Sequence, residues 1–174
     1  MKALILDDEM MLCHIIESVL DEKGVAFDSY QDPIETLASI NDTEYDFIFV
    51  DIGLPNMNGL EFSKHFKQRQ PWSDIVFITG SGDYDKAVEA IKVGAYDFVR
   101  KPFQRIELAL CVGRLVEKRT LYEAKKRKQI LDFANKMSQE LMHELRNPLT
   151  AIGGFSKRAS DEGCGSDKLK EYAG

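Results

Sequence analysis

Residues 46–66 read DFIFVDIGLPNMNGLEFSKHF. DFIFVD (46–51) is an apolar run closed by an acid, the pattern of a buried strand. LPNMNG (54–59) is turn chemistry. LEFSKHFKQR (60–69) spaces its apolar residues as an amphipathic helix does. A buried strand that ends in Asp51 and turns at once into a helix is one repeat of an alternating architecture, and its neighbours on both sides repeat it.

On the N-terminal side, KALILD (2–7) is a short apolar run ending in acids. EMMLCHIIESVLDEKG (9–24) has helix periodicity and a C-terminal Gly24 as its stop. VAFDSY (25–30) is strand-like, and DPIETLASI (32–40) opens with Asp then Pro, a cap followed by the first helical position. On the C-terminal side, DIVFITG (74–80) reads as strand, YDKAVEAIKVG (84–94) as helix and AYDFVR (95–100) as strand, and another helix begins at Gln104. Strands alternating with helices require crossover connections. The expected fold is therefore α/β, with a mostly parallel sheet covered on both faces.

The chain has 174 residues, 44% of them hydrophobic, enough for one full core and a small appendage. Its net charge of −6 hides an asymmetry: residues 1–103 carry 9 Lys and Arg against 19 Asp and Glu, and residues 104–174 carry 14 against 10. The architecture is expected to change near residue 104. No run is long and apolar enough for a membrane span or a signal peptide. Cys13, Cys111 and Cys164 are odd in number, far apart and form no CxxC pair, which fits a reduced, cytoplasmic protein.

In sheets of this kind, chemistry sits outside the carboxyl ends of the strands. Strand one runs into Asp7, Asp8 and Glu9. Strand three ends in Asp51, strand four in Thr79, and strand five runs into Lys101–Pro102. Each has an ordinary explanation taken alone: acids cap helices, and threonine favours strands. Together they put carboxylates, a hydroxyl and an ammonium on one edge. Clustered carboxylates repel unless a cation sits among them, and oxygen ligands with partial hydration suit Mg²⁺. One carboxylate can then attack a phosphoryl group while metal and lysine neutralise its oxygens.

LILDDE (4–9), FVDIGLPNMNGLEF (49–62), VFITGSGD (76–83) and AYDFVRKPF (95–103) together resemble the receiver domain of two-component response regulators, over residues 1 to about 118. The resemblance implies a doubly wound, flavodoxin-like sheet of five parallel strands in the order 2-1-3-4-5. It implies that Asp51 is the phosphoacceptor, and that Asp7, Asp8, Asp51 and the backbone carbonyl of Gly53 hold Mg²⁺. Thr79 would be the switch hydroxyl, Phe98 the switch aromatic, and Lys101 the partner of the phosphoryl group, with Lys101–Pro102 cis. An upstream phosphodonor kinase or phosphotransfer protein is the implied partner. Two positions depart from the pattern: Gly53 projects no side chain over the site, and Gly80 stands where a small Ala is commoner.

From Gln104 to Thr150 only Gly113 interrupts helix-compatible sequence. Leu108, Val112, Leu115 and Tyr122 form one apolar series; Ile130, Ala134, Met137 and Leu141 form a second, about one residue out of phase. The expectation is a coiled-coil-like homodimer through residues 108–141 of the C-terminal helix. KRTLYEAKKRK (118–128) is basic, but no nucleic-acid reader motif follows it, so a solvated helix face is the preferred reading.

HELRNPL (143–149) resembles the phosphoacceptor box of sensor histidine kinases. By that resemblance His143 is phosphorylated, Glu144 fixes the imidazole tautomer, and Asn147, one turn on, positions water. Pro148 gives no N–H to the helix and should bend it. The stretch 154–174 reads as a helix end, a DEGCGS loop and the start of a second helix. The organisation expected is a receiver at 1–118, a signalling-helix linker at 119–140 and a truncated dimerisation and phosphoacceptor region at 141–174. The parent would be an ATP-dependent histidine kinase, with ATP bound only by a catalytic domain beyond this chain and a further receiver as a candidate downstream partner. The alternative is a non-enzymatic response regulator whose helical tail binds a protein partner or nucleic acid.

Overall fold

A computed structural model gives the backbone of residues 1–40, 43–80 and 84–162, and the side chains of all of these except 84–88 and 145–162. The elements are β1 (Lys2–Leu6), α1 (Met10–Glu22), β2 (Ala26–Tyr30), α2 (Pro33–Ser39), β3 (Phe47–Asp51), α3 (Gly59–Arg69), β4 (Asp74–Thr79), α4 (Tyr84–Val93), β5 (Ala95–Arg100) and α5 (Arg105–Glu162). All strand pairs are parallel, in the order β2-β1-β3-β4-β5. This is the doubly wound, flavodoxin-like sheet expected from the sequence.

Local chemistry sets the boundaries. Gly24 has φ +66, the left-handed conformation that ends α1 at little steric cost. Asp32 caps α2 by accepting from the amides of Ile34 (2.8 Å) and Glu35 (2.9 Å), with Pro33 at the first helical position. Asn58 caps α3 by accepting from Glu61 N at 2.9 Å.

The period of two along each strand divides the core between the two faces of the sheet. Ala3, Ile5, Phe47, Phe49, Val76 and Ile78 pack with α1 and α5. Leu4, Leu6, Ile48, Val50, Ile75 and Phe77 lie on the other face, against Phe62 and Phe66 of α3 and Ala90 of α4. The central strands are apolar on both faces because helices cover both.

The apolar pattern of α5 serves a different purpose at its start than the dimer expectation gave it. Leu108, Val112 and Leu115 are fully buried, together with Cys111, against the sheet of their own chain. Burying each large apolar side chain there is worth about 1.5–3 kcal/mol, so these three residues complete a core and are not themselves a seam for a partner. Ile106 and Leu110 of the same stretch are exposed. Tyr122, Ile130, Met137 and Leu141 are exposed.

Ion pairs fasten the same stretch of α5 from outside. Lys118 Nζ lies 2.7 Å from Asp74 Oδ1 and over the Tyr96 ring. Arg119 Nη2 lies 2.7 Å from Asp46 Oδ1, and Arg114 pairs with Asp97. The first two cations of the basic stretch thus meet acids at the N-terminal ends of β3 and β4.

Packing divides the chain into a unit Met1–Tyr122 and a second unit that begins at Glu123. In the second unit α5 continues through the backbone of 145–162, so Asp161 and Glu162 of the expected loop are helical; the side chains of Asn147 and Pro148, and the rest of that loop with the second helix, lie outside the described residues. Among the described residues no helix is long and apolar enough to cross a membrane.

Candidate functional site

Strand register assembles the site. Leu6 of β1 pairs with Val50 of β3, so Asp7 emerges beside Asp51. Asp51 pairs with Ile78, which puts Thr79 one step past it, and Thr79 pairs with Arg100, after which comes Lys101. The Lys101 amide donates to the Thr79 carbonyl at 2.7 Å, and the Lys101–Pro102 bond is cis, as expected. Asp7, Asp51 and Thr79 are all buried, at 0%, 6% and 6% exposure, whereas Asp8 is exposed at the rim.

Lys101 is the centre of charge. Its Nζ lies 2.8 Å from Asp51 Oδ2, 3.0 Å from Asp7 Oδ2 and 3.0 Å from Glu9 Oε1. The contacts with Asp51 and Glu9 are aligned hydrogen bonds; the one with Asp7 is an ion pair without hydrogen-bond alignment. Burial alone would lower the lysine's pKa, but its three carboxylate partners outweigh burial and hold it well above its ordinary value. Burial pushes the Asp7 carboxyl up, against the opposing pull of the Glu9 amide on Oδ1 (2.9 Å) and of Lys101.

Asp7, Asp8 and Asp51 each offer an oxygen within 4.8 Å of the others. These donors are hard, anionic and partly open to solvent, as Mg²⁺ requires. Asp7 Oδ2 is buried without an aligned donor, an acceptor that a cation would satisfy. The residues present therefore fit a divalent cation. Gly53 donates its amide to Asp51 Oδ1 at 3.0 Å, and a Cβ there would sit 3.7–3.8 Å from the Asp51 oxygens, in ordinary contact. The site thus has room for a side chain at 53, and the glycine leaves the carboxylate uncovered on that side.

Two residues of this site escape a reading of the sequence. Glu9 was visible as a third acid after β1, but its link to Lys101 spans 92 residues. Gly59 starts α3 directly over the carbonyl of Asp51: a Cβ there would lie 2.1 Å from Asp51 O and 2.8 Å from Val50 Cγ1. Its only signal is a glycine at the first turn of a helix, where glycine has no local advantage. Phe98 is 53% exposed on β5. His143 and Glu144 belong to the second unit and are exposed on α5.

The sequence profile of the response regulator receiver domain matches residues 3–112. The chain belongs to the response regulator receiver family. It is 32% identical over 118 residues to the two-component response regulator PhoP of Pseudomonas aeruginosa, covering 68% of this chain and 52% of that protein. It is 31% identical over 161 residues to the nitrogen assimilation regulatory protein NtrX of Azorhizobium caulinodans, covering 89% of this chain and 35% of that one. The crystal structure of the receiver domain of NtrX from Brucella abortus superposes with a TM-score of 0.61 at 34% identity, over 66% of this chain and 98% of that domain. The chain thus spans about half or less of the length of these full regulators. One is a two-component response regulator and the other a nitrogen assimilation regulatory protein, so the comparisons favour the response-regulator reading of the receiver over the kinase reading.

Proposed function

We propose that this receiver accepts a phosphoryl group on Asp51 and reports it through α5. The observation that carries the proposal is the Lys101 ammonium 2.8 Å from the Asp51 carboxylate, within a carboxylate group that fits a divalent cation. Asp51 Oδ supplies the nucleophile. Asp7, Asp8, Asp51 and the Gly53 carbonyl would hold Mg²⁺, which when bound neutralises charge on the phosphoryl oxygens. Lys101 offers its protons to the same oxygens, Thr79 offers its hydroxyl, and Phe98 on the neighbouring strand responds to the new charge. The phosphodonor is a kinase or phosphotransfer protein of a two-component system. Incubation with a small phosphodonor and Mg²⁺, followed by peptide mapping, tests the site.

For the output, the similarity to response regulators supports an adaptor whose helical tail engages a protein partner. The exposed Ile130, Met137 and Leu141 supply an apolar face for it, and a second copy of this helix is the simplest partner. One observation favours a second reading, in which the tail is a histidine phosphoacceptor region: the run HELRNPL, whose His143 and Glu144 are exposed on a helix. In that reading the chain divides into a receiver at 1–118, a linker at 119–140 and a phosphoacceptor region at 141–174. Asn147 then positions water for the reverse reaction, and ATP binds to a separate catalytic domain. A histidine kinase catalytic domain with ATP distinguishes the two. Acid-labile, alkali-stable label lost in His143→Gln establishes the phosphoacceptor; absence of label leaves the adaptor.

A further inference from the structure

Glu9 stands where its side chain has a local task and does not perform it. It is the N-cap of α1: its backbone is extended (φ −90, ψ 98), and its carbonyl accepts from the amides of Leu12 (2.9 Å) and Cys13 (3.1 Å). An N-cap side chain usually accepts from the free amides of the first turn. That of Glu9 makes no such bond and instead reaches Lys101, Oε1 to Nζ at 3.0 Å.

An ammonium has three protons, and Lys101 faces three carboxylate oxygens, those of Asp51, Asp7 and Glu9. Two of these residues, Asp7 and Asp51, belong to the group whose oxygens converge closely enough for one cation, together with Asp8; Glu9 lies outside it. A dication and Lys101 cannot both hold the oxygens of Asp7 and Asp51 at full strength. The lysine side chain is only 15% exposed, so an ammonium displaced from both would be poorly hydrated and repelled by the incoming charge. Glu9, with its side chain 59% exposed at the rim, is the one partner it can keep.

We propose that Glu9 is a positioning residue for Lys101: it holds the ammonium at the rim while a divalent cation takes the oxygens of Asp7 and Asp51, so the lysine is in place when phosphoryl oxygens arrive. The proposal rests on the phosphoacceptor reading of Asp51 and adds to it the residue that lets cation and lysine share the cluster.

The test is a Mg²⁺ titration of the full chain, followed at the Gly53 amide by NMR, since that amide bonds Asp51 Oδ1. Glu9→Gln removes the charge. Glu9→Asp keeps the charge, shortens the reach by one methylene and restores a good helix cap. Both variants should raise the Mg²⁺ dissociation constant by roughly two- to fivefold, the range for a largely exposed ion pair. Glu17→Gln, farther along α1, should leave it unchanged. Wild-type affinity in Glu9→Asp with weakened binding in Glu9→Gln would reduce Glu9 to a diffuse charge and overturn the proposal, as would wild-type affinity in both. Phosphoryl labelling of Asp51 in the wild type separates the two failures. If the wild type labels and binds Mg²⁺ but the variants match it, only the role of Glu9 falls. If the wild type neither labels nor binds, the phosphoacceptor reading falls with it.

Discussion

Gly59 opens α3 and Gly113 lies inside α5, and helix propensity alone favours alanine at both, by up to about 1 kcal/mol. Their surroundings predict opposite results. At Gly113 a Cβ meets nothing within 4 Å, so Gly113→Ala should deliver that gain. At Gly59 the Cβ would meet the backbone oxygen of Asp51 at 2.1 Å and Val50 Cγ1 at 2.8 Å. An ordinary contact begins near 3.4 Å, so α3 or the end of β3 must move by more than an ångström. The partner atom is backbone, held in the sheet, and cannot swing aside. Overpacking of this kind costs about 3 kcal/mol or more, which exceeds the helix gain. With a urea m-value of about 1.5 kcal/mol/M, the unfolding midpoint should fall by about 1.3–2 M for Gly59→Ala and rise by about 0.7 M for Gly113→Ala. Equilibrium urea unfolding followed by circular dichroism measures both. A Gly59→Ala midpoint at or above wild type would refute the close approach of α3 to Asp51. The movement also shifts the phosphoacceptor, so Gly59→Ala should label Asp51 poorly even where it remains folded.

Asp7→Asn should raise stability by roughly 1 kcal/mol at pH 7 without Mg²⁺, because it removes a buried charge. The folded state holds the Asp7 proton more tightly than the unfolded chain. The wild type therefore has its full Asp7 contribution below the ordinary carboxylate value of 3.8 and loses it as pH rises through the elevated folded value. The advantage of Asp7→Asn should accordingly shrink as pH approaches 3, and saturating Mg²⁺ should stabilise the wild type but not the variant. Tyr45→Phe removes a hydroxyl that donates to Asp28 at 2.6 Å. Burial alone would raise the Asp28 pKa, but Lys2 and Tyr45 hold it below its usual value, so their stabilisation is present above 3.8 and lost as pH falls through the lower folded value. The variant should lose about 1 kcal/mol at pH 7 and little near pH 2. For the tail, Met137→Glu should weaken any self-association seen by light scattering; unchanged association in Met137→Glu would place the contact elsewhere.

The alternation of strand and helix was legible because both periods are written in the order of residues, and the strand-end residues followed from it: Asp7, Asp51, Thr79 and Lys101 meet at one edge as the topology requires. The cis Lys101–Pro102 bond came from the resemblance and not from spacing. Contacts set by distance in space were not legible. Nothing in the order of residues marks Gly59 as lying on the Asp51 carbonyl or Glu9 as holding Lys101. The first part of α5 shows why a helical stripe is ambiguous. Leu108, Val112 and Leu115 have the spacing of a coiled-coil seam, and the same spacing suits a helix lying on its own sheet. Only the packing decides between them, and it buries all three.

The central claim is that Asp51 is the phosphoacceptor and that the carboxylates beside it supply the cation it needs. The direct measurement is stoichiometric labelling of the full chain by a small phosphodonor, with and without Mg²⁺, with the modified residue located by mass spectrometry. One phosphoryl group per chain is expected on Asp51, dependent on Mg²⁺, absent in Asp51→Asn and strongly reduced in Asp7→Asn. Undiminished labelling of Asp51→Asn, or labelling of Asp51 that proceeds equally well without a divalent cation, would contradict it.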